Sequence, residues 1–241
     1  MPSSRISMYS RHDLVWLSDQ GWQQIRDTSR PEHRHAIETW RLSNWPLIVR
    51  RHDADAGDEV VCLGLALPPN TTDGSKQRIA LRVEKKLIAR SCPALSVNEI
   101  ITTAPTEWQD ALTNLSTLSI TSKTSFAALD IRVFGSTALQ RLTGLPYVTA
   151  RSDIDLLFSP NDFSELELGL SLLTSFSTLL PLDGEILFPQ QQAVSWREWQ
   201  IATASQARVL VKTMHTVYLA STASLIASLV QNQTTSGELA A

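Results

Sequence analysis

The segment SDIDLLF carries two aspartates, Asp153 and Asp155, that are separated by a single residue. On a β-strand, side chains at i and i+2 project from the same face, so the two carboxylates are predicted to lie a few ångströms apart. Like charges this close repel, and one carboxylate would take up a proton unless a cation lay between them. Oxygen ligands of this kind suit Mg²⁺. The spacing therefore predicts a Mg²⁺ site with both aspartates as ligands.

A Gly-Ser pair, Gly135 and Ser136, precedes these aspartates and follows the predicted strand LDIRVF. Glycine permits a tight turn and a close approach of the backbone to a ligand. Ser136 is expected at the start of a short helix over TALQRLTG, where free backbone N–H groups and the hydroxyl can hold a phosphate. Two aspartates alone also fit a solvated surface strand. Strand, turn, helix and second strand together favour a combined phosphate and metal site.

A third carboxylate is available in LDGEILF, another predicted strand, which carries Asp183 and Glu185 at i and i+2. If this strand pairs beside DIDLLF, either residue can complete the site. Its expected role is to deprotonate an attacking hydroxyl or to bind a metal on the side of the nucleophile.

Basic side chains are also expected at such a site, because charge builds up on departing phosphate oxygens. Each candidate also fits a solvated surface charge. The candidates for substrate binding are Lys76, Arg78, Arg197 and Lys212. Arg197 is flanked by Trp196 and Trp199, whose rings are expected either in the core or stacked on an adenine.

The elements that must position these residues indicate an α+β protein. RPEHRHAIETWRLSN predicts a helix that begins near Pro31, and WPLIVRR with EVVCLGLAL predicts a hairpin. RIALRV is expected to be a third strand. In PTEWQDALTNLSTLSITSKT the first half predicts a helix and the Ser/Thr-rich remainder a junction. DFSELELGLSLLTSF predicts a helix capped by Asp162 or Ser164. ASQARVLVKTMHTVYLAS fits strand or helix equally well.

Composition excludes several classes of protein. The chain has 241 residues, of which 43% are hydrophobic and 19% charged, which is typical of a globular protein. Its net charge of −3 does not favour a broad nucleic-acid-binding surface. A membrane span and a secretory signal are not expected either, because long apolar runs are missing. The two cysteines are far apart, which fits a reduced, cytoplasmic protein.

The order of Gly-Ser, a gap and two aspartates on an apolar strand resembles the nucleotidyltransferase superfamily over roughly residues 125–215. A narrower resemblance also exists. VFGSTALQRLTGLPYVTARSDIDLLF and LDGEILFPQQQAVSWREW are similar to segments of the phosphoribosyl-dephospho-CoA transferases of malonate decarboxylase, the holo-acyl-carrier-protein synthases. HDLVWL, PLIVRR, LGLALPP and KQRIAL stand in the order of that family, so the resemblance extends to about residue 218.

The resemblance implies a reaction and its partners. Such an enzyme moves the phosphoribosyl-dephospho-CoA group from 2′-(5″-triphosphoribosyl)-3′-dephospho-CoA to a serine of the apo acyl carrier protein subunit of malonate decarboxylase, releasing pyrophosphate. It implies a small N-terminal α+β domain over residues 1–110, which contacts the substrate or the carrier protein. A nucleotidyltransferase-like catalytic domain follows over residues 111–241, with a mixed sheet flanked by helices.

Residue by residue, the resemblance makes Asp153 and Asp155 metal ligands and makes Gly135 and Ser136 the triphosphate-holding turn. Asp183 is the first choice for the third carboxylate and metal ligand, and Glu185 the second. Two alternatives stay open: a catalytically silent module that binds a nucleotide or a protein, and a nucleotidyltransferase acting on a small molecule.

Overall fold

The computed structural model describes residues 9–121, 129–205 and 207–238. Two compact units make up the chain. The first runs to Ala94 and includes Leu142–Tyr147; the second comprises Leu95–Arg141 and the chain from Val148 onward. The sequence prediction placed this division at residue 110. The segment after Ala94 belongs to the second unit because Leu95 pairs with a strand of that unit's sheet.

Within the described residues, the first unit contains a five-stranded antiparallel sheet and two α-helices that belong wholly to it. The hairpin predicted from WPLIVRR and EVVCLGLAL is confirmed, as is the strand predicted from RIALRV. The strands, in chain order, are β1 Leu14–Leu17, β2 Leu47–Val49, β3 Val60–Ala66, β4 Arg78–Glu84 and β5 Ile88–Cys92. Their order across the sheet is β4-β3-β2-β1-β5, so β4 and β5 form its edges.

Helices α1 (Asp19–Thr28) and α2 (Arg34–Leu42) bury their apolar faces in the core of this unit. The predicted helix near Pro31 is confirmed, although its first turn, Pro31–His33, is a 3-10 turn. Proline suits that position because the first helical N–H has no partner within a helix. Trp40 is 2% exposed and donates its ring N–H to the Pro46 carbonyl, which satisfies the one polar atom of that buried ring.

The second unit contains a seven-stranded mixed sheet flanked by helices, as expected for an α+β protein. Its strands are β6 Leu95–Ser96, β7 Asp130–Phe134, β8 Ile154–Ser159, β9 Leu182–Phe188, β10 Gln192–Ser195, β11 Arg208–Lys212 and β12 Val217–Ser221. The order is β12-β11-β10-β9-β8-β7-β6. Only the β8–β9 pair is parallel among the paired strands of this sheet within the described residues. In the segment whose sequence fits strand or helix equally well, Arg208–Lys212 and Val217–Ser221 form the β11–β12 hairpin.

Within the described residues, six α-helices lie wholly or mainly in the second unit: α3 Val97–Ile100, α4 Thr106–Thr121, α5 Gly135–Thr143, α6 Phe163–Phe176, α7 Trp196–Ser205 and α8 Thr222–Glu238. The last two residues of α5 belong to the first unit. The cap of α6 is Asp162, which accepts a hydrogen bond from the Glu165 backbone N–H at 2.8 Å. Ser164 lies inside this helix. Among the described residues, no helix combines the length and apolar character needed to cross a membrane.

The predicted junction in the second half of PTEWQDALTNLSTLSITSKT is wrong as far as Thr121, because α4 continues to that residue. Hydroxyls within the helix donate to carbonyls one turn earlier: Thr113 to Gln109 at 2.8 Å and Thr117 to Thr113 at 2.8 Å. Such bonds satisfy the polar side chains without ending the helix. The last residues of the predicted junction, 122–124, lie outside the described residues.

Candidate active site

The Gly-Ser turn lies between β7 and α5 and touches one of the predicted metal ligands. Gly135 has φ +70°, a left-handed conformation that L side chains rarely adopt. A Cβ atom at this position would stand 1.9 Å from Oδ2 of Asp155. Phe134 pairs with Asp155 across β7 and β8, which fixes this approach. The turn and the carboxylate therefore form one site, and only glycine fits between them.

The parallel pairing of β8 and β9 brings the third carboxylate beside the first two. Asp155 is in register with Asp183, and Leu156 with Gly184. Gly184 has φ +146°, and a Cβ there would lie 2.0 Å from the Leu156 carbonyl oxygen. This glycine lets the two backbones approach closely at the point where the two aspartates stand side by side.

Asp153, Asp155 and Asp183 form the carboxylate cluster. One carboxylate oxygen from each lies within 4.8 Å of the others. Asp153 is exposed and the other two are half-buried, so the cluster opens to solvent. Three oxygen donors of one charge sign at this spacing fit a hard divalent cation such as Mg²⁺. Asp153 directly precedes β8, and the predicted proximity of Asp153 and Asp155 agrees with this geometry.

Glu185 occupies a different environment from Asp183. It is 8% exposed, and its carboxylate accepts a hydrogen bond from Lys212 Nζ at 3.1 Å. Among the described residues, the group that can hold a metal comprises only the three aspartates of the carboxylate cluster. The ion pair with Lys212 links β9 to β11. Glu185 lies one pleat further along β9 than Asp183.

Arg197, at the start of α7, is a cation beside the cluster. Its Nε lies 3.6 Å from Oδ1 of Asp183, and its guanidinium donates a hydrogen bond to the Leu182 carbonyl. The guanidinium also lies 5.3 Å from the centroid of the Trp196 ring. Because the Arg197 side chain is 58% exposed, part of it faces solvent and can meet an incoming anion.

The remaining predicted cations, Lys76 and Arg78, belong to the first unit, where Arg78 begins β4. Trp196 and Trp199 are 3% and 2% exposed. Both rings are therefore core side chains, which agrees with the first of the two alternatives and not with stacking on an adenine. The structural role of Gly184 was not predicted. Its signal was available, since a glycine inside an otherwise apolar strand often marks a close backbone approach.

Comparison with known proteins connects this site to a family. Residues 10–94 match the model of the phosphoribosyl-dephospho-CoA transferase MdcG N-terminal domain, and residues 94–223 match that of the MdcG C-terminal domain. No solved structure gave a significant match.

The matches to named relatives cover most of this chain and most of each relative. A phosphoribosyl-dephospho-CoA transferase of Xanthomonas campestris pv. campestris (strain 8004) is 38% identical over 208 residues, which is 85% of this chain and 91% of the relative. One from Bradyrhizobium diazoefficiens is 34% identical over 215 residues, 87% and 88% of the two chains. With both family models matched in order and relatives of this similarity, the chain belongs to the phosphoribosyl-dephospho-CoA transferase family.

Proposed function

We propose that the protein transfers the phosphoribosyl-dephospho-CoA group from 2′-(5″-triphosphoribosyl)-3′-dephospho-CoA to a serine of the apo acyl carrier protein subunit of malonate decarboxylase. The observation that carries this proposal is the carboxylate cluster against the Gly135–Ser136 turn, within a chain of this family. In this reaction the serine Oγ forms a bond to the phosphorus next to the ribose. The bond from that phosphorus to the leaving pyrophosphate breaks, and pyrophosphate departs with the electron pair.

The turn is assigned to the triphosphate. The start of α5 presents backbone N–H groups, and an anion is stabilised there by the helix dipole. Ser136 adds a hydroxyl at the same place. Gly135 leaves room for the Asp155 carboxylate, so the phosphates and the acidic ligands meet at one point.

The carboxylate cluster is assigned to Mg²⁺, with Asp153, Asp155 and Asp183 as its ligands. A bound Mg²⁺ would neutralise charge on the phosphate oxygens and orient them for in-line attack. Asp183 is the better choice for the third carboxylate because its oxygen lies within 4.8 Å of the other two. Glu185 faces Lys212 instead, which favours a structural role for that pair.

Two further roles are assigned to single residues: accepting the proton of the serine hydroxyl and stabilising the negative charge on pyrophosphate. The serine hydroxyl must lose a proton as it attacks, and Asp183, at the half-buried edge of the cluster, is assigned to accept it. Arg197 is assigned to the negative charge that builds up on the departing pyrophosphate, since its guanidinium lies beside Asp183 and is partly open to solvent.

The test is mass spectrometry of the apo carrier protein after incubation with the enzyme, Mg²⁺ and the triphosphoribosyl precursor, together with a pyrophosphate assay. We expect the carrier to gain one phosphoribosyl-dephospho-CoA unit on a serine, with one pyrophosphate released per transfer. A carrier in which that serine is replaced by alanine is the matched control. Binding of the precursor without pyrophosphate release would instead identify a silent nucleotide-binding module.

A further inference from the structure

The first unit contains a cavity of about 670 Å³ that the proposed chemistry does not use. It lies between the C-terminal end of α1, the loop after β2 and the edge strand β4. Small-molecule sites usually measure about 300–1,000 Å³. The cavity is therefore large enough for a ligand of nucleotide size.

One wall of the cavity is an arginine–aspartate network formed by Arg50, Asp53, Asp55 and Arg82. Arg50 donates to Asp53 at 2.6 Å, while Arg82 donates to Asp53 at 2.8 Å and to Asp55 at 2.6 Å. The hydrogen bond from Arg50, followed by that from Arg82, holds the pKa of Asp53 well below its usual range. Two arginines and two carboxylates thus neutralise each other and fix the loop after β2 to β4.

The other cations of the cavity are not neutralised in this way. The guanidinium of Arg78 has no side-chain hydrogen bond or ion pair with another residue within the described part of the chain. Arg30 approaches Glu32 only at 3.9 Å, with side chains 79% and 59% exposed, so that pair contributes little. His33 lines the same space. Once the network is balanced, the cavity keeps an excess of positive charge from Arg30 and Arg78.

Apolar surface lies beside these cations. Ala80 is exposed on β4, two residues from Arg78, and Val60 is half-buried at the start of β3. Gln24 contributes a side-chain amide to the lining. A ligand that fits combines an anionic group with a partly apolar body that can make hydrogen bonds. Arginine guanidinium groups bind carboxylates and phosphates alike through paired hydrogen bonds, and a diphosphate offers one anionic group to each of the two arginines.

We propose that this cavity binds a nucleoside 5′-diphosphate, with its phosphates on Arg78 and Arg30 and its base over Ala80 and Val60. Two sources share this chemistry. One is the dephospho-CoA part of the substrate, which contains an adenosine 5′-diphosphate and whose relevance rests on the proposed function. The other is a free nucleotide such as ADP.

The binding test uses isothermal titration of ADP, and separately of dephospho-CoA, into the full-length protein in the presence of EDTA. EDTA removes divalent cations, so the carboxylate cluster takes no part. We expect Arg78→Ala to bind ADP about tenfold more weakly than wild type, and the Arg30→Ala/Arg78→Ala pair more weakly still. Arg34→Ala, an exposed arginine of α2 outside the cavity, is the matched control and should bind as wild type does.

Equal ADP affinity in wild type and Arg78→Ala, or no binding of ADP by wild type, overturns the proposal. If Arg78→Ala impairs folding because Arg78 lies on β4, the single variant Arg30→Ala replaces it in the test. Arg30 lies outside the strands. The source of the ligand is read from transfer kinetics. If the ligand is the dephospho-CoA part of the substrate, KM for the precursor rises about tenfold in Arg78→Ala. If the ligand is a free nucleotide, ADP changes the transfer rate of wild type but not that of the variant. The ADP titration stands even if no transfer occurs.

Discussion

The two units of this protein collect charged side chains in opposite ways. In the second unit, three aspartates converge within 4.8 Å, and the cation beside them is Arg197 at 3.6 Å from Asp183. In the first unit, the arginine–aspartate network alternates two cations with two anions. The network is balanced by the protein itself, whereas the carboxylate cluster carries an excess of negative charge.

The difference indicates which cluster serves a ligand. Concentrated charge of one sign lowers the stability of a folded protein, because the groups repel each other. Such an arrangement is useful where a bound cation supplies the opposite charge. A balanced network needs no ligand and stabilises the loop that it joins to a strand. The predictions below test this contrast, from the largest expected effect to the smallest.

Asp155→Asn should reduce transfer by about 100-fold or more, because one ligand and one negative charge are lost at the reacting centre. Stability should hold or rise slightly, since repulsion within the cluster falls. Transfer rates and thermal unfolding of the purified variant check both statements. Asp110→Asn, an exposed aspartate on α4, is the control and should match wild type in both.

Gly135→Ala should abolish most transfer, since its Cβ would collide with the Asp155 carboxylate. The left-handed backbone alone costs about 1–2 kcal/mol for a residue with a Cβ. Gly144→Ala separates the two causes, because Gly144 has φ +71° with nothing within 4 Å of the added Cβ. We expect Gly135→Ala and Gly144→Ala to have comparable unfolding midpoints, and we expect activity to be lost only in Gly135→Ala. Full activity in Gly135→Ala would mean that the turn is not part of the site.

Arg197→Ala should lower transfer about tenfold, because the positive charge beside Asp183 disappears. The pair is well exposed, so the free energy of unfolding should change by less than about 1 kcal/mol. Steady-state kinetics and urea unfolding provide the two readings. Arg208→Ala, an exposed arginine on β11, is the control. A stability loss without a change in rate would assign Arg197 to folding alone.

Lys212→Met should destabilise the second unit by about 1–2 kcal/mol, because it removes the cation facing the buried Glu185 carboxylate. The value is below that of a fully buried pair since Lys212 is 38% exposed. The double variant Glu185→Gln/Lys212→Met should recover most of the loss in urea unfolding. If the double variant is as unstable as the single one, the pair does not act as a unit.

Asp53→Asn should have the smallest effect, and the size of this effect depends on pH. The folded pKa of Asp53 lies below the ordinary value of 3.8, so its ionised form contributes stability above that value. This contribution is lost as pH falls from about 4 toward the lower folded pKa. The difference in urea midpoint between wild type and Asp53→Asn should therefore be larger at pH 7 than at pH 3. A constant difference would contradict the network's ionic character.

Sequence patterns predicted the local parts of the site well. The strands around Asp155 and Asp183 and the helix after Gly135 follow from alternation and turn residues that act over a few positions. The i, i+2 spacing of Asp153 and Asp155 is likewise local. The second half of α4 was missed because its Ser/Thr content suggests a junction, whereas the hydroxyls bond within the helix.

Contacts between residues that are far apart in the chain could not be predicted from the sequence patterns. The register that sets Asp155 beside Asp183, rather than beside Glu185, depends on how β8 and β9 align. A shift along the strand changes which side chain meets the cluster. The pairing of Glu185 with Lys212 joins positions 27 residues apart through the order of three strands, which no local pattern encodes.

The most direct test of the account is the Mg²⁺ dependence of transfer, measured by mass spectrometry of the carrier protein for wild type and Asp155→Asn. The account predicts that EDTA stops transfer by wild type, that Mg²⁺ restores it, and that the variant stays inactive at every Mg²⁺ concentration. Persistent wild-type transfer in EDTA, or a near wild-type rate in the variant, would contradict a metal-binding role for the three aspartates.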